Sequence, residues 1–473
     1  MNITSLIFCG FVIIVVALYY IIPRRAQNYL LLTASYVFFA TWAWQFPLIL
    51  FVLTLLNFKL AQWLRYRERP RPAILWSGIG VNILALAFFK YSNFFVPEML
   101  GLLQGTGGQS FSLAVNILLP VGLSYRILEN ISYLADVYRG QIPAASNLTD
   151  FSLYSAYFPK LLSGPIERAR SFMPQLTQQR IVDNDTITRS FTLIVIGLVR
   201  KIVIADTISG VIPRGVFVTP MNYSGLELST WLVAETFVIY NDFAGYTDIV
   251  RGVSGLFGIE LSRNFSHPFF SRNFFEMWTR WHITLSFWLR DYIYMPLSRA
   301  LLRRNLSSRN TLNLIIPPMA AMLISGLWHW ATIHMLMWGA VVGLYLVFGR
   351  ILSLWRPVIQ PDKQPMWRQI IKMLAVFLLI NLSLIFFHMD LPTAINFFRG
   401  LFIWKKLTMP DLHVPLMIGL SLLIDYFQYR HKDEVVFLRW PRLVQSTVLA
   451  VAILAIFLAT LMKPATPFIY QGF

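Results

Sequence analysis

Two histidines sit where proton transfer is feasible. His329 lies in SGLWHWATIH, residues 325–334, between two tryptophans in a run that reads as membrane-buried. His282 lies in FFEMWTRWHITLSFWLRD, among tryptophans and arginines. A neutral imidazole can take a proton from a hydroxyl, which is the work of a general base. Ser325 and Thr332, about one turn to either side of His329, make a polar strip consistent with an interior cavity, the setting in which an ionisable group at membrane depth is functional. The competing reading is that His329 only hydrogen-bonds a neighbouring helix. The remaining histidines are weaker candidates: His267 precedes a proline, His413 and His431 lie near loops, and His334 and His388 lie near helix ends.

The surroundings of His282 are unusual. Between Arg263 and Arg309 stand eight arginines and only two acids, Glu276 and Asp291, in a stretch too aromatic for an ordinary loop. At helical spacing Phe274, Trp278, Trp281, Leu285, Trp288 and Tyr292 share one face. Thr279, His282, Ser286 and Arg290 form a separate stripe, roughly 120° around the helix. An amphipathic interfacial helix anchored by tryptophan and arginine would look similar, yet anionic lipid has no use for an imidazole among the arginines. An arginine-rich rim also suits a substrate carrying several phosphates, such as coenzyme A. Arg280, Trp281, Ser286 and Arg290 are the residues of this stretch expected to bind such a substrate.

These residues must be positioned by membrane helices. Of the 473 residues, 56% are hydrophobic and 13% charged, which excludes the soluble classes. Apolar windows at about 4–22, 29–44, 47–64, 73–94, 112–134, 187–205, 228–250, 313–330, 334–349, 370–388, 412–427 and 443–462 predict an all-α polytopic membrane protein of about 11–13 transmembrane or re-entrant helices around a central cavity. The longest polar intervals are too short for a separate soluble domain. The chain is read as one membrane domain, with N-terminal helices over 1–110, a core over 111–350 and C-terminal helices over 351–473. The formal charge of +18 reflects basic loops at alternate helix ends (Arg24 and Arg25, RYRERPR, Arg139, 356–372, 430–442), with no indication of a nucleic-acid partner. Putting those loops inside leaves both termini, including PATPFIYQGF, outside. His329 then sits roughly 24 Å along its helix, beyond the bilayer centre and toward the outside. Cys9, the lone cysteine, excludes internal disulfides, thiolate metal sites and cysteine catalysis.

Other intramembrane polar groups call for partners. Arg126 and Glu129 have the i, i+3 spacing of a helical ion pair, beside Tyr125 and Asn130. In YFPKLLSGPIERAR, Pro159 and Gly164-Pro165 interrupt a short apolar run, as in a broken or re-entrant segment lining a cavity. Asp242 and Asp248 in NDFAGYTDI have no spacing that identifies a metal site.

Taken in order, LPVGLSYRILENISYLADVYRG, LLSGPI, DFAGYTDIVRGVSGLFGIEL, NFSHPFFSRNFFEMWTRWHITLSFWLRDYIYMPL and SGLWHW resemble the membrane-bound O-acyltransferases, particularly the bacterial branch that acylates alginate, cellulose, peptidoglycan and other cell-surface polymers. RWHITLSFWLRDYIYM also resembles members that transfer D-alanine from a carrier-protein thioester to teichoic acids. The resemblance implies that His329 is the catalytic histidine and His282 a second active-site histidine on the cytoplasmic side. It implies an acyl thioester, acetyl-CoA foremost, as co-substrate with no bound cofactor, and a bacterial inner-membrane location. The acceptor would be a hydroxyl of an extracytoplasmic glycan or of a partner protein. Asn130, Ser325 and Trp328 are expected to line the cavity, with Asn130 a candidate oxyanion donor. Where the family's histidine is usually followed by glycine, this chain has Trp330, whose ring would narrow the outer cavity. The rival class is an anion transporter or channel, its arginines lining a vestibule and its histidine relaying protons.

Overall fold

A computed structural model describes residues 1–65, 71–104, 119–304, 307, 310–355, 364–404, 411–462 and 468, the side chains of 65, 91–104, 355 and 462 excepted. Each of the twelve apolar windows overlaps a helix in its described part, and the described residues contain no strand. Among the described residues six helices are long and apolar enough to cross a bilayer: Phe46–Leu64, Pro72–Lys90, Thr311–His329, Ile333–Leu354, Met366–His388 and Arg442–Leu461. The other windows fold as shorter or more polar helices such as Leu6–Ile21, Leu123–Tyr138 and His413–His431. The chain is an all-α, multi-pass membrane protein. Its C-terminal stretch apart from Phe468, residues 112–118 of one window, and most of the basic loops at 66–70 and 356–363 lie outside the described residues.

The chain divides into two compact units. The first comprises Met1–Val182 and Ser254–Leu261. Here Pro159 and Gly164-Pro165 do break the helical run, and residues 151–169 are buried throughout. Irregular backbone is tolerated at membrane depth only where protein covers it. The polar groups it brings inside meet Glu129, whose carboxylate accepts from Lys160 Nζ at 2.7 Å and from the Glu167 N–H at 3.0 Å, and pairs with Arg126 at 2.7 Å. Arg126 also donates to the carbonyls of Ser155 and Lys160. The helical pair expected from spacing is thus part of a larger cluster. Gly122 allows the close approach: its φ is +77°, and a Cβ there would sit 2.1 Å from the Leu161 carbonyl oxygen.

The second unit comprises Asp183–Val253 and Ser262–Tyr470. Its buried charges pair as well. Arg200 donates to Asp425 at 2.6 Å and to Asn241 at 3.2 Å, and the Tyr240 hydroxyl donates to Asp425 at 2.8 Å. These bonds tie the irregular turn Val199–Ala205 to the helices Gly225–Gly255 and His413–His431. Asp242 meets Lys201, and Asp248 lies between Arg200 and Arg251. The window of Arg442–Leu461 is not buried at all, as expected of a helix solvated by lipid.

Removing one partner of a buried ion cluster leaves the other charges uncompensated. Glu129→Gln should destabilise the folded protein by about 3–5 kcal/mol. Arg189→Ala, at a half-exposed side chain pairing with Asp433 and Glu434, should change stability by no more than about 1 kcal/mol. Thermal unfolding in nanodiscs, followed by tryptophan fluorescence, checks both. Equal melting temperatures for the two variants would contradict the structural weight given to Glu129.

Candidate active site

The region around His282 is not the single helix its periodicity predicts. A helix over Phe274–Trp278 ends, the backbone turns, and a second helix runs over Ile283–Leu289 before an under-wound turn, Arg290–Tyr294, leads into Met295–Arg303. The turn is made at His282, whose φ of 40° and ψ of 54° are left-handed, a conformation costly for most L-residues but visited by His and Asn more often than by others. Residues 264–266 hold it there. The Ser266 N–H donates to the Arg280 carbonyl at 2.9 Å, the Ile283 N–H donates to the Asn264 carbonyl at 2.8 Å, and the Thr284 hydroxyl donates to Asn264 Oδ1 at 2.7 Å. Helical spacing could not foresee a turn made by contacts about 18 residues away.

His329 is the last residue of its helix, and Trp330 is extended. Thr332 therefore lies beyond the helix, where its hydroxyl is 3.1 Å from His334 Nε2, and does not continue a strip with Ser325. The next helix starts at Ile333 and packs back along the first. A Cβ on Gly326 would sit 2.2 Å from the Met335 carbonyl oxygen, and one on Gly339 would sit 2.5 Å from that of Met322. Small residues of this kind let membrane helices approach backbone to backbone, and here they fix the helix end that carries His329.

His282 and His329 line the same cavity, together with Ile239, Phe274, Met277, Trp278, Trp281, Leu285, Trp338, Val342, Ile380, Ser383, Leu384 and Phe387. It encloses about 30 Å³, room for a water or two. Aromatic rings orient both imidazoles: Phe243 lies 4.8 Å from the His282 ring, while Trp338 and Phe387 lie 5.6 and 5.5 Å from the His329 ring. Trp328 touches both histidines, at 6.3 and 4.9 Å, from behind the cavity wall.

The other expected site residues fall in several places. Trp281 is on the wall. Ser286 donates to the Trp281 carbonyl, Arg290 packs on Phe287 and pairs with Asp291, and Ser325 is fully buried with its hydroxyl unbonded; none of the three lines the cavity. Asn130 belongs to the first unit, where its amide donates to Asn82 Oδ1. Trp330 is 42% exposed and is not among the lining residues.

Arg280 opens onto a second space that periodicity did not reveal. A cavity of about 530 Å³ is lined by Arg263, Ser266, His267, Arg272, Arg280, Tyr429, Arg430, Lys432, Asp433 and Glu434. Five of these residues are Arg or Lys and two are acids. Burial would raise the Glu434 carboxyl, but Arg251, Arg263 and Arg189 outweigh it and hold the group below its ordinary value. Glu434 is thus ionised at neutral pH and occupied by arginine. His267 is pushed down by burial and stays neutral, so the excess cationic charge belongs to the other side chains. Arg280 lies over the Tyr429 ring at 5.4 Å, and Phe270 stacks on that ring at 5.0 Å. Consecutive residues thus serve different spaces: Arg280 lines the basic cavity, and Trp281 and His282 line the apolar one.

A profile of the membrane-bound O-acyltransferase family (MBOAT) matches residues 139–389, just over half of the chain. The chain belongs to this family. Among curated proteins this O-acyltransferase is 31% identical to a probable alginate O-acetylase of Pseudomonas putida, over 98% of both chains. It is 27% identical to a peptidoglycan O-acetyltransferase of Helicobacter pylori, over 81% of this chain and 76% of that one. It is 28% identical to a teichoic acid D-alanyltransferase of Streptococcus thermophilus, over 48% and 56%.

If the glycine contact sets the position of His329, Gly326→Ala should lower the melting temperature and cut thioester turnover at least tenfold. Gly10→Ala, where an added Cβ meets nothing within 4 Å, should leave turnover intact and stability unchanged or slightly higher, because alanine is the better helix former. Turnover normalised to folded protein decides between them.

Proposed function

We propose that the enzyme carries an acyl group, acetyl in the first instance, from a cytoplasmic thioester to a hydroxyl on the outer side of the bacterial inner membrane, with both termini outside. The observation that supports the reading is the pair of buried histidines in one aromatic cavity, whose lining at Trp281 and His282 directly follows Arg280 of a large basic cavity. A donor such as acetyl-CoA brings several phosphates, and guanidinium groups bind phosphate with paired, charge-assisted hydrogen bonds. Arg263, Arg272, Arg280, Arg430 and Lys432 supply that charge. The pantetheine arm then passes Trp281 and presents its carbonyl between the histidines. Since the apolar cavity has space for little more than a water, some of the aromatic side chains must turn to admit it.

The acceptor hydroxyl enters from the end of the bundle where the His329 helix stops. His329 takes its proton, the alkoxide oxygen bonds to the thioester carbonyl carbon, and the carbon–sulfur bond breaks. The departing thiolate recovers the proton from the His329 imidazolium, so product ester and free thiol balance the step. His282, next to the donor cavity, orients the thioester. The relatives act, by their names, on alginate, peptidoglycan and teichoic acid, which favours an extracytoplasmic glycan as the acceptor here. Their D-alanyl member makes a carrier-protein thioester the alternative donor.

Two experiments follow. In nanodiscs supplied with acetyl-CoA, free-thiol release should fall at least a hundredfold in His329→Ala. It should fall substantially in His282→Asn, a replacement that tolerates the left-handed backbone; turnover retained by both folded variants would remove their assigned roles. Arg280→Ala and Lys432→Ala should each raise the donor KM about tenfold, with a smaller effect on kcat and a loss of the parent's salt sensitivity. If they change nothing while a carrier-protein thioester outcompetes acetyl-CoA, the donor is the carrier protein.

A further inference from the structure

Two polar side chains stand one helical turn past the lining of the apolar cavity. Ile239 and Leu384 lie on its wall, on helices Gly225–Gly255 and Met366–His388. One helical turn from Ile239 is Glu235, and one turn from Leu384 is His388; an offset of four residues keeps each on the same face as its cavity neighbour. The two steps lead to the same place, because Glu235 Oε1 is 3.6 Å from His388 Nε2. Phe387, which packs on the His329 ring, immediately precedes His388. The pair therefore stands one helical turn past the cavity lining on both helices, next to a ring that packs on His329.

Both side chains keep a little exposure, 14% for Glu235 and 20% for His388. Their separation is beyond hydrogen-bond length, and His388 Nε2 has no hydrogen-bond partner. The His388 ring is held by the nearly parallel ring of Phe217 at 5.6 Å, and Phe217 is backed in turn by Phe397. A carboxylate and an imidazole are thus kept side by side, with the imidazole Nε2 buried and unbonded. Nothing in the proposed chemistry at His282 and His329 uses them. Met389 and Phe387, the two neighbours of His388 in sequence, are buried.

We propose that Glu235 and His388 form an acceptor subsite that binds adjacent hydroxyls of a saccharide and presents one of them to His329. The inference rests on the acyl-transfer reading above and adds the residues that choose the acceptor. A carboxylate takes a hydrogen bond from one hydroxyl, and the imidazole takes or gives one to its neighbour. Two polar points side by side match a sugar diol, whereas a serine side chain offers one hydroxyl. Glu235 and His388 are positioning residues: they exchange no bond with the thioester.

The test measures partition of the acetyl group between water and saccharide, in nanodiscs with acetyl-CoA and an alginate oligosaccharide. A serine-containing peptide is the second acceptor. The ratio of acetylated saccharide to acetate is internal to each sample and does not depend on how much protein is active. In Glu235→Gln and His388→Gln the ratio should drop about tenfold or more, through a raised KM for the oligosaccharide. A merely structural role would lower transfer and hydrolysis together and leave the ratio where it is, which would overturn the proposal. So would a parent protein that hydrolyses acetyl-CoA but acetylates only the peptide, or neither acceptor. Absence of thioester turnover in the parent would instead remove the underlying acyl-transfer reading, and the subsite with it.

Discussion

Water is missing from the hydrocarbon layer, and much of this chain's architecture follows from that. Each polar group carried into the layer must find its partner inside the protein or be displaced toward an interface. The response is concentration. Glu129 gathers Arg126, Lys160 and a backbone N–H, and Asp425 gathers Arg200 and the Tyr240 hydroxyl. Such clusters contribute little net stability against an apolar replacement, but they are intolerant of losing a member. Their use here is geometric, since each one joins irregular backbone to helices that would otherwise slide against one another.

The same constraint explains how a left-handed turn survives in the middle of an aromatic segment. At His282 the continuous helical bond ladder is given up, which at membrane depth would leave backbone groups exposed to lipid. Residues 264–266 supply substitutes through the carbonyl and side chain of Asn264 and the N–H of Ser266. The strain of the turn is held by these contacts, and its result is that Arg280 faces one cavity while His282 faces another. A straight helix would have placed all its polar residues along one stripe and produced a single amphipathic face.

Sequence pattern revealed the parts of this arrangement that depend on composition. Apolar length located the helices, and the oddity of imidazoles among tryptophans singled out His282 and His329. Motif resemblance supplied their pairing. What stayed hidden depends on distance along the chain. The turn at His282 is made by Asn264, the basic cavity joins residues 263–280 to 429–434, and Glu129 finds Lys160 about thirty residues later. Periodicity within a window cannot encode such pairings. It was also misleading for Ser286 and Arg290, which share the stripe of His282 only if the helix is unbroken.

Separating charge from reaction has a chemical advantage. A thioester is easily lost to water, and a cationic vestibule that binds phosphates is necessarily wet. In the proposed reading the donor's phosphates stay in the basic cavity of about 530 Å³, which Arg280 lines, while the two histidines line the aromatic cavity that Trp281 also lines. Only the narrow, uncharged part of a donor needs to reach the aromatic cavity. The space it enters holds about 30 Å³ among aromatic rings, so an acyl arm seated there leaves little volume for water beside the carbonyl. In that reading, access for a competing nucleophile is governed at the other end, where the His329 helix stops. In an enzyme built this way the donor end sets affinity, while discrimination between a hydroxyl and water falls to whatever polar groups stand at the acceptor end.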